Sequence, residues 1–342
     1  MSQKNNLLGF GYRHLVRPAA FLFDPQTTHE VFTNLGEKLE NHPQLLSPFF
    51  QFSSPQLKKT VLGVEFANPV GLAAGFDYNG HLARTMKYTG FGFNTVGTVT
   101  AHASPGNAGP QLTRLPQAQA IWVNKGFKSD GAVAVAKRLD QKNLIDHTIG
   151  LSVGASNVPA VNTVAKAIDD YLFTFNTFKD KSYVKYFELN ISCPNVNLTG
   201  IFTKPENFEN LLKAIMELKI NQPIFIKMPS GIESATSDTL IKTALAHNIS
   251  GFIFSNLLKT TGQTGGLSGR PVFPRAKRLI THTRQEFGHT VTLIGLGGIF
   301  SPIEAKEYLN TGADLIQLIT GLIYEGPQLP AQICEYLAGQ IN

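Results

Sequence analysis

The alternation of short apolar runs with amphipathic stretches, from residue 53 to the end of the chain, constrains the fold most. Eight strand-like runs are separated by stretches of helical periodicity such as 208–218 and 237–246. The runs lie at residues 69–74, 92–99, 149–153, 186–191, 224–228, 251–256, 292–296 and 315–320. They are largely continuous in hydrophobicity, which is typical of parallel strands covered on both faces. Eight strand–helix repeats predict a (β/α)8 TIM barrel, although an open doubly wound sheet would show the same alternation.

Length and composition fit one such barrel. The 342 residues allow a barrel at 53–342 preceded by a small helical extension at 1–52. The two cysteines are too few for a disulfide framework, which indicates a reducing compartment. The sequence contains no cluster of cysteine and histidine, so we expect no metal site. The net charge of +6 comes from scattered basic residues, so we expect no nucleic-acid partner. Neither a secretory signal nor an apolar run of about 20 residues is present.

The extension at 1–52 predicts two helices. The first mixes apolar and basic residues, and we expect Pro18 to break it. Asp24 followed by proline predicts the start of a second helix, with Val31, Leu35 and Leu39 forming an apolar stripe along it. The pattern fits a helical hairpin packed on the barrel, or an interfacial segment that dips apolar side chains into lipid.

The heptapeptide 190–196, N-I-S-C-P-N-V, follows the fourth predicted strand. It places Cys193 between Asn190 and Asn195, at the end of a strand where barrels carry their chemistry. A thiol flanked by amides at that position predicts a catalytic base or nucleophile with substrate-binding side chains beside it. The alternative is an inert, buried cysteine.

Glycine-rich segments end several predicted strands. Those at 294–298 and 319–321 follow strands seven and eight, where barrels commonly bind phosphate through backbone N–H groups. A third, at 264–271, follows the sixth strand, and a fourth, within 68–77, would let a flat ring lie against the first. Each could also be an ordinary turn, but two at the correct strand ends favour a phosphate site.

Lys227 lies at the end of the fifth predicted strand. A lysine facing the barrel interior is costly without an anionic partner. Lys227 is therefore either a solvated residue beyond the strand or a cation beside an electron-rich cofactor ring.

Taken together, these segments resemble the dihydroorotate dehydrogenases, FMN-dependent (β/α)8 enzymes of pyrimidine synthesis. The resemblance is carried by N-P-V-G-L-A-A-G-F-D at 68–77, G-F-G-F-N-T-V-G-T-V-T at 90–100, S-C-P-N at 192–195, G-G-L-S-G-R-P at 265–271 and G-L-G-G-I at 295–299. The segments 12–18 and 23–25 look like the N-terminal extension of the membrane-associated, quinone-using class. In that class the extension forms an apolar tunnel for the quinone.

The resemblance implies a role for each matching residue. Cys193 would remove a proton from dihydroorotate while hydride passes to the flavin, and Lys227 would stabilise negative charge on the flavin. The substrate-binding residues implied are Asn124, Phe127, Asn190, Asn195 and Asn256. The FMN-binding residues implied are Ala73, Ala74, Gly75, Thr98, Ser152, Asn190, Lys227, Gly269, Gly297, Gly298, Thr320 and Gly321.

The chain departs from the family's pattern in the substrate region. The quinone-using class usually has serine as the base, whereas Cys193 is typical of the soluble class. Tyr78 stands where the family has a lysine that contacts substrate and flavin, and Lys125 on the neighbouring loop is a hypothetical replacement. Asn124 lies one residue closer to the following Gly-Phe pair than in the family. Serine also replaces the family's asparagine at Ser152, and leucine replaces threonine at position 257.

The sequence therefore predicts FMN-dependent oxidation of dihydroorotate to orotate, with a quinone as acceptor, at the cytoplasmic side of a membrane. A related flavoenzyme acting on another cyclic dihydropyrimidine is one alternative. A non-catalytic flavin-binding barrel and a soluble enzyme that uses fumarate or a partner subunit as acceptor are two others.

Overall fold

A computed structural model shows a closed barrel of eight parallel strands. It describes residues 2–194, 196, 198, 200–259 and 264–341. The strands are β1 Val70–Leu72, β2 Phe93–Val99, β3 Ile149–Val153, β4 Val184–Asn190, β5 Ile224–Lys227, β6 Gly251–Phe254, β7 Thr292–Leu296 and β8 Leu315–Leu318. Each pairs in parallel with the next along the chain, and β8 pairs with β1. The predicted TIM barrel is confirmed; seven of the eight predicted runs contain their strand, and the run at 186–191 overlaps a strand that begins two residues earlier, at Val184.

Helices cover the outside of the barrel. They are α1 Gln3–Gly11, α2 Arg17–Phe21, α3 Pro25–Lys38, α4 Ser47–Phe50, α5 Ala132–Asp140, α6 Val164–Phe178, α7 Pro205–Glu217, α8 Ser234–Ala246, α9 Phe273–Phe287, α10 Pro302–Asn310, α11 Thr320–Glu325 and α12 Leu329–Ala338. Several start at residues that favour an N-terminus: Thr163 and Ser301 accept backbone N–H bonds as N-caps of α6 and α10. After β1 a 3-10 helix, Thr85–Thr89, takes the place of an α-helix.

Aromatic residues close the lower end of the barrel. A hairpin of Lys59–Val61 and Val64–Phe66 places Phe66 against Phe93 and Tyr186, with ring centroids 4.9 and 5.9 Å apart. Phe225 packs against Tyr186 from the next strand. Because this end is filled, a ligand site belongs at the opposite end, where the strands have their carboxyl termini.

A four-stranded antiparallel sheet lies in the loops after β2 and β6. We call it the mouth sheet; its strands are Leu258–Lys259, Gly266–Gly269, Ala120–Val123 and Leu112–Leu115, in that order. Part of the predicted glycine-rich loop at 264–271 is therefore a strand. The sheet was not predicted from the sequence, because its strands are short and two of them pair across about 150 residues of chain.

The predicted helix break at Pro18 is wrong. Helix α1 continues through a π-helical turn, Tyr12–Val16, directly into α2, and the chain turns after Phe21 instead. In the π-turn the N–H of Arg17 bonds to the carbonyl of Tyr12, five residues back. Pro18 directly follows this wider turn. The turn avoids the two usual costs of a proline inside a helix, which are the loss of an i→i−4 hydrogen bond and the clash of the ring with a carbonyl of the preceding turn. Asp24 caps α3 as predicted, accepting the N–H of Thr27 at 2.9 Å.

The extension leaves much of its apolar surface exposed. Val31 and Leu35, two of the three residues in the predicted stripe, are 60% and 54% exposed, and Leu15 and Leu22 are 72% and 85% exposed. We call these four residues the N-terminal apolar face. The predicted stripe is therefore mostly not packed on the barrel. Within the described residues, every helix is too short or too polar to cross a bilayer.

Candidate active site

A cavity that is partly open to solvent lies at the carboxyl ends of the strands. Its lining comes from the barrel, the mouth sheet and α3 of the extension. A cavity with mostly apolar walls and a few polar groups is typical of a cofactor or substrate site.

One end of the cavity is formed by glycines after β7 and β8. Gly297 and Gly298 have φ of +112° and +72°, and a Cβ on Gly298 would lie 2.5 Å from that of Phe273. A Cβ on Gly321 would lie 1.8 Å from the carbonyl oxygen of Ile299. The hydroxyls of Ser268 and Thr320 are 2.7 Å apart beside them. This end can therefore bring backbone N–H groups and hydroxyls close to an anion such as a phosphate.

Small residues after β1 and β2 form a flat wall. Ala73, Ala74 and Gly75 line the cavity with Thr98, and the N–H of Gly75 bonds to the carbonyl of Gly97 at 2.8 Å. The Thr98 hydroxyl is also 2.9 Å from that of Ser152, which lies behind it. A planar ring system could lie against this wall without meeting a long side chain.

A hydrogen-bonded group that we call the amide wall comes from β2, β4 and β6. Asn190 donates to Thr98 at 3.1 Å and accepts from Asn256 at 3.0 Å. Asn256 also donates to Ser192 at 3.0 Å, and Ser192 donates to the carbonyl of Lys227 at 2.8 Å. Because these amides bind each other, their orientation is fixed before a ligand arrives.

Cys193 and Lys227 both line the cavity and are buried. Burial lowers the pKa of Lys227, and the negative charges of Glu188 and Cys193 oppose that effect. Glu188 is held inside the barrel by Thr95 at 2.6 Å and Gln317 at 2.7 Å. The thiol and the ammonium group are thus electrostatic neighbours at one site, as the sequence analysis predicted.

A second polar region, which we call the Tyr78 wall, combines the loop after β1 with α3. The Lys125 Nζ lies 3.9 Å from the centroid of the Tyr78 ring. The His29 ring packs against Tyr78 and Phe76, with centroids 5.2 and 5.1 Å away. Burial, and to a lesser degree the charge of Lys125, lowers the pKa of His29 to about 3. His29 is therefore neutral at physiological pH.

An apolar flank connects the cavity to the extension. It is formed by Leu112, Ile121 and Val123 of the mouth sheet with Ile323 of α11. Beyond it, the Tyr12 hydroxyl donates to the carbonyl of Ile323 at 2.7 Å, and Arg17 donates to that of Tyr324 at 2.9 Å. Arg114 stacks over Phe21 and donates to the carbonyl of Phe23 at 2.7 Å.

The structure brings most of the predicted site residues together. The cavity is lined by Ala73, Ala74, Gly75, Thr98, Phe127, Asn190, Cys193, Lys227, Asn256, Gly297, Gly298, Thr320 and Gly321.

Three predicted residues are placed differently, and a fourth lies outside the described residues. Ser152 lies one layer behind the wall, and Gly269 lies beside the lining residue Ser268. Asn124 is not among the lining residues; its Oδ1 accepts from Asn107 at 2.9 Å. The one-residue shift in its spacing is the sequence signal for that displacement. Asn195 lies outside the described residues, so its role stays a prediction.

The sequence analysis assigned no role to several lining residues. His29 and the apolar flank are the main additions. The flank had a usable signal, since the mouth-sheet segments are short β-prone runs on either side of a turn. His29 had none, because one histidine on an amphipathic helix is usually a surface residue.

Comparison with known proteins agrees with this geometry. The family model described as dihydroorotate dehydrogenase matches residues 56–341. A dihydroorotate dehydrogenase (quinone) of Sinorhizobium medicae is 33% identical over 96% of this chain and 92% of its own length. One from Coxiella burnetii is 33% identical over 95% of this chain and 96% of its own length.

Solved structures show the same fold. A dihydroorotate dehydrogenase of Eimeria tenella in complex with ferulenol superposes with a TM-score of 0.82 at 23% identity, covering 93% of this chain and 92% of that one. Its ligand-free form gives 0.79 at 24% identity, covering 90% and 94%.

Proposed function

The chain belongs to the dihydroorotate dehydrogenase family, and from that premise we propose that it oxidises dihydroorotate to orotate with FMN as cofactor and a quinone as acceptor. The observation that carries the proposal is that one cavity contains Cys193, Lys227, the amide wall and the glycine end. They come from the carboxyl ends of several different strands, and their convergence is what a flavin dehydrogenation requires.

The residues present fit FMN. The glycine end, with the Ser268 and Thr320 hydroxyls, suits the phosphate, and the flat wall of Ala73, Ala74, Gly75 and Thr98 suits the ring system. Gly297, Gly298 and Gly321 have no room for side chains, which keeps the backbone accessible to an anion. When bound, FMN supplies the hydride acceptor for the oxidation.

Cys193 acts as the general base in this proposal. Its sulfur removes the proton from C5 of dihydroorotate while the hydride leaves C6. A thiol suits this task because ordinary cysteine ionises near about pH 8.5, so a useful fraction is thiolate at neutral pH. The positive charge of Lys227 nearby favours the thiolate.

Lys227 stabilises the negative charge that the cofactor ring gains. Its ammonium group is buried, so its interaction with that charge is little screened by water. Glu188 acts as a positioning residue, since its negative charge opposes the loss of the Lys227 proton. The amide wall binds the ring carbonyls and N–H groups of the substrate through Asn190 and Asn256.

The quinone enters along the apolar flank. Leu112, Ile121, Val123 and Ile323 offer an apolar path from the cavity toward the extension. The N-terminal apolar face lies on that same extension and is exposed, and we assign it to peripheral contact with the cytoplasmic side of a membrane. A quinone dissolved in lipid would then reach the cavity without crossing water.

Anaerobic titration with dihydroorotate tests the oxidation. The purified, FMN-loaded protein should lose its flavin absorbance band stoichiometrically, and regain it faster with a ubiquinone analogue than with fumarate. Absence of bleaching by dihydroorotate would reject the proposed substrate. Faster return of the band with fumarate would reject the quinone.

Tyr78 favours a second candidate substrate, a neutral cyclic dihydropyrimidine, because its phenol supplies no positive charge for a carboxylate. Dihydrouracil in the same titration tests this. Bleaching by dihydrouracil at lower concentrations than by dihydroorotate would favour the second candidate.

Vesicle binding tests the membrane contact. Leu15→Glu and Leu22→Glu should reduce co-sedimentation with anionic lipid vesicles, because each places a charge on the exposed apolar face. The control is Ile145→Glu, which changes an apolar residue that is 78% exposed and lies outside the extension. Leu245→Glu would be an unsuitable control, because Leu245 packs against the core. Vesicle binding by Leu22→Glu equal to that of the unaltered protein would contradict the assignment.

A further inference from the structure

Lys125 is a buried ammonium group whose charge is not balanced. It is 7% exposed, and its Nζ has no hydrogen-bond partner among the described residues. Proteins rarely keep an ionised group in this state, because the desolvation penalty is then uncompensated. A buried donor without a partner at the edge of a cavity points to a ligand that supplies the acceptor.

The neighbours of Lys125 cannot supply the missing negative charge. Tyr78 presents its ring face 3.9 Å away, and burial raises the pKa of its phenol, so it stays neutral. Glu30 of α3 accepts from Gln26 at 2.7 Å and from Lys128 at 3.4 Å, and is engaged there. His29 is neutral at physiological pH.

The lowered pKa of Lys125 agrees with a charge that has no anionic partner among the described residues of the unliganded protein. Burial, with a smaller contribution from Lys128, lowers the pKa of Lys125 to about 7, while Glu30 opposes the change. At neutral pH the side chain is therefore divided between its charged and uncharged forms. The Tyr78 ring, 3.9 Å from the Nζ, favours the charged form through a cation–π contact.

Lys125 also differs from the other two lysines that line the cavity within the described residues. Lys227 has the negative charges of Glu188 and Cys193 beside it. Lys128 is 37% exposed and pairs with Glu30 at 3.4 Å. Of the three, only Lys125 has an Nζ that is fully buried and without a hydrogen-bond partner among the described residues.

We propose that Lys125, supported by the face of Tyr78, is the specificity-determining cation that binds the carboxylate of the substrate. The inference rests on the proposed function, because it takes dihydroorotate and orotate as the ligands of this cavity. Lys125 contacts the carboxylate, and Tyr78 is a positioning residue that holds the ammonium group over its ring. The carboxylate restores the hydrogen bond and the charge balance that Lys125 lacks.

Binding should then be coupled to protonation. An anion beside Lys125 raises its pKa above the value of about 7 in the unliganded protein. Above pH 7 the unliganded side chain is mostly neutral, so binding takes up a proton, approaching about one at pH 8. Orotate affinity should fall as pH rises from 7 toward the pKa of the liganded state.

The test compares orotate with its methyl ester, which keeps the ring and removes the charge. Calorimetric titration of the oxidised, FMN-loaded protein gives both affinities, and two buffers of different ionisation enthalpy give the proton uptake. The unaltered protein should prefer orotate, and Lys125→Met should reduce that preference by about 10-fold or more, as expected for loss of a charge-assisted contact. Lys137→Met, an exposed lysine on α5, controls for the change in net charge.

Lys125→Arg provides a second arm if Lys125→Met does not fold or bind FMN. Arginine keeps the charge at all accessible pH values, so this variant should retain the orotate preference while its proton uptake at pH 8 falls toward zero. An unchanged preference in Lys125→Met, or undiminished proton uptake in Lys125→Arg, would overturn the proposal.

The proposed function is judged separately. If dihydroorotate fails to bleach the flavin of the unaltered protein while the Lys125 effects appear, the oxidation is wrong and the carboxylate site stands. If bleaching occurs and the Lys125 effects are absent, only this inference fails.

Discussion

The two polar walls of the cavity differ in how they are prepared for a ligand. In the amide wall, Asn190, Asn256 and Ser192 bond to one another and to the barrel, so their positions are set by the fold. In the Tyr78 wall, Lys125 has a ring face below it and no hydrogen-bond partner among the described residues. The first wall can orient a neutral ring, whereas the second can discriminate by charge.

This difference suggests which side chains of the cavity tolerate substitution. A side chain in a closed network cannot be exchanged without leaving its partners unsatisfied. A charge that the ligand completes can move to a neighbouring position, provided that its ammonium group stays within reach. Lys125, stacked on Tyr78, is a charge of this second kind, whereas Asn190 and Asn256 belong to the closed network.

The largest expected effect comes from the thiol beside the amide wall. Cys193→Ala should slow flavin reduction by dihydroorotate by about 10² to 10⁴-fold, the usual contribution of a general base. Orotate affinity should change little, because binding depends on the two walls. Anaerobic stopped-flow absorbance measures the rate, and Cys193→Ser is the matched control that keeps a proton acceptor. A rate in the alanine variant close to that of the unaltered protein would remove Cys193 from the chemistry.

The amide wall itself can be broken at Asn256. Asn256→Ala removes the donor to Asn190 Oδ1 and to Ser192 Oγ, both 3.0 Å away. We expect a loss of about 1–3 kcal/mol in the free energy of unfolding, since buried acceptors are left without a donor. Urea denaturation of the FMN-loaded protein measures it, and Asn221→Ala on the surface is the control. Equal stability of the two variants would show that the wall is not a coupled network.

A pH-dependent effect tests the Tyr78 wall through His29. Its pKa is about 3 in the folded protein against an ordinary 6.5, so below pH 6.5 the unfolded chain binds a proton that the folded protein does not. This histidine should therefore reduce stability progressively as pH falls from 6.5 toward 3, by at most about 1.4 kcal/mol per pH unit. His29→Phe should remove that dependence.

Unfolding midpoints of the unaltered protein and His29→Phe at pH 8, 6 and 5 measure this effect. The variant should gain relative stability only below pH 6.5. A difference that does not depend on pH would show that the His29 ring is solvated rather than buried.

The sequence predicted the barrel well because its signals are local and repeated. Each strand is a short apolar run covered on both faces, and each glycine-rich strand end is required by close backbone approach, as at Gly298 and Gly321. The convergence of Cys193, Lys227 and Asn256 then follows from the barrel's topology, since the carboxyl ends of its strands meet at one mouth.

The remainder depends on contacts that no local pattern encodes. The π-helical turn removed the expected break at Pro18, because the hydrogen-bond register had already changed before the proline. The mouth sheet joins segments separated by about 150 residues, and the stacking of Lys125 on Tyr78 joins two loops. Local composition does not reveal which distant loops meet.

The bonds from Tyr12 and Arg17 to the carbonyls of Ile323 and Tyr324 have a practical consequence. They tie the first helix to the short segment whose opening residues, Thr320 and Gly321, line the cavity. Cutting away residues 1–52 would uncover that segment as well as remove the proposed membrane contact. Loss of turnover in a chain without residues 1–52 would then result from damage to the active site as well as from separation from the electron acceptor. Substitutions of single exposed leucines test the second cause without the first.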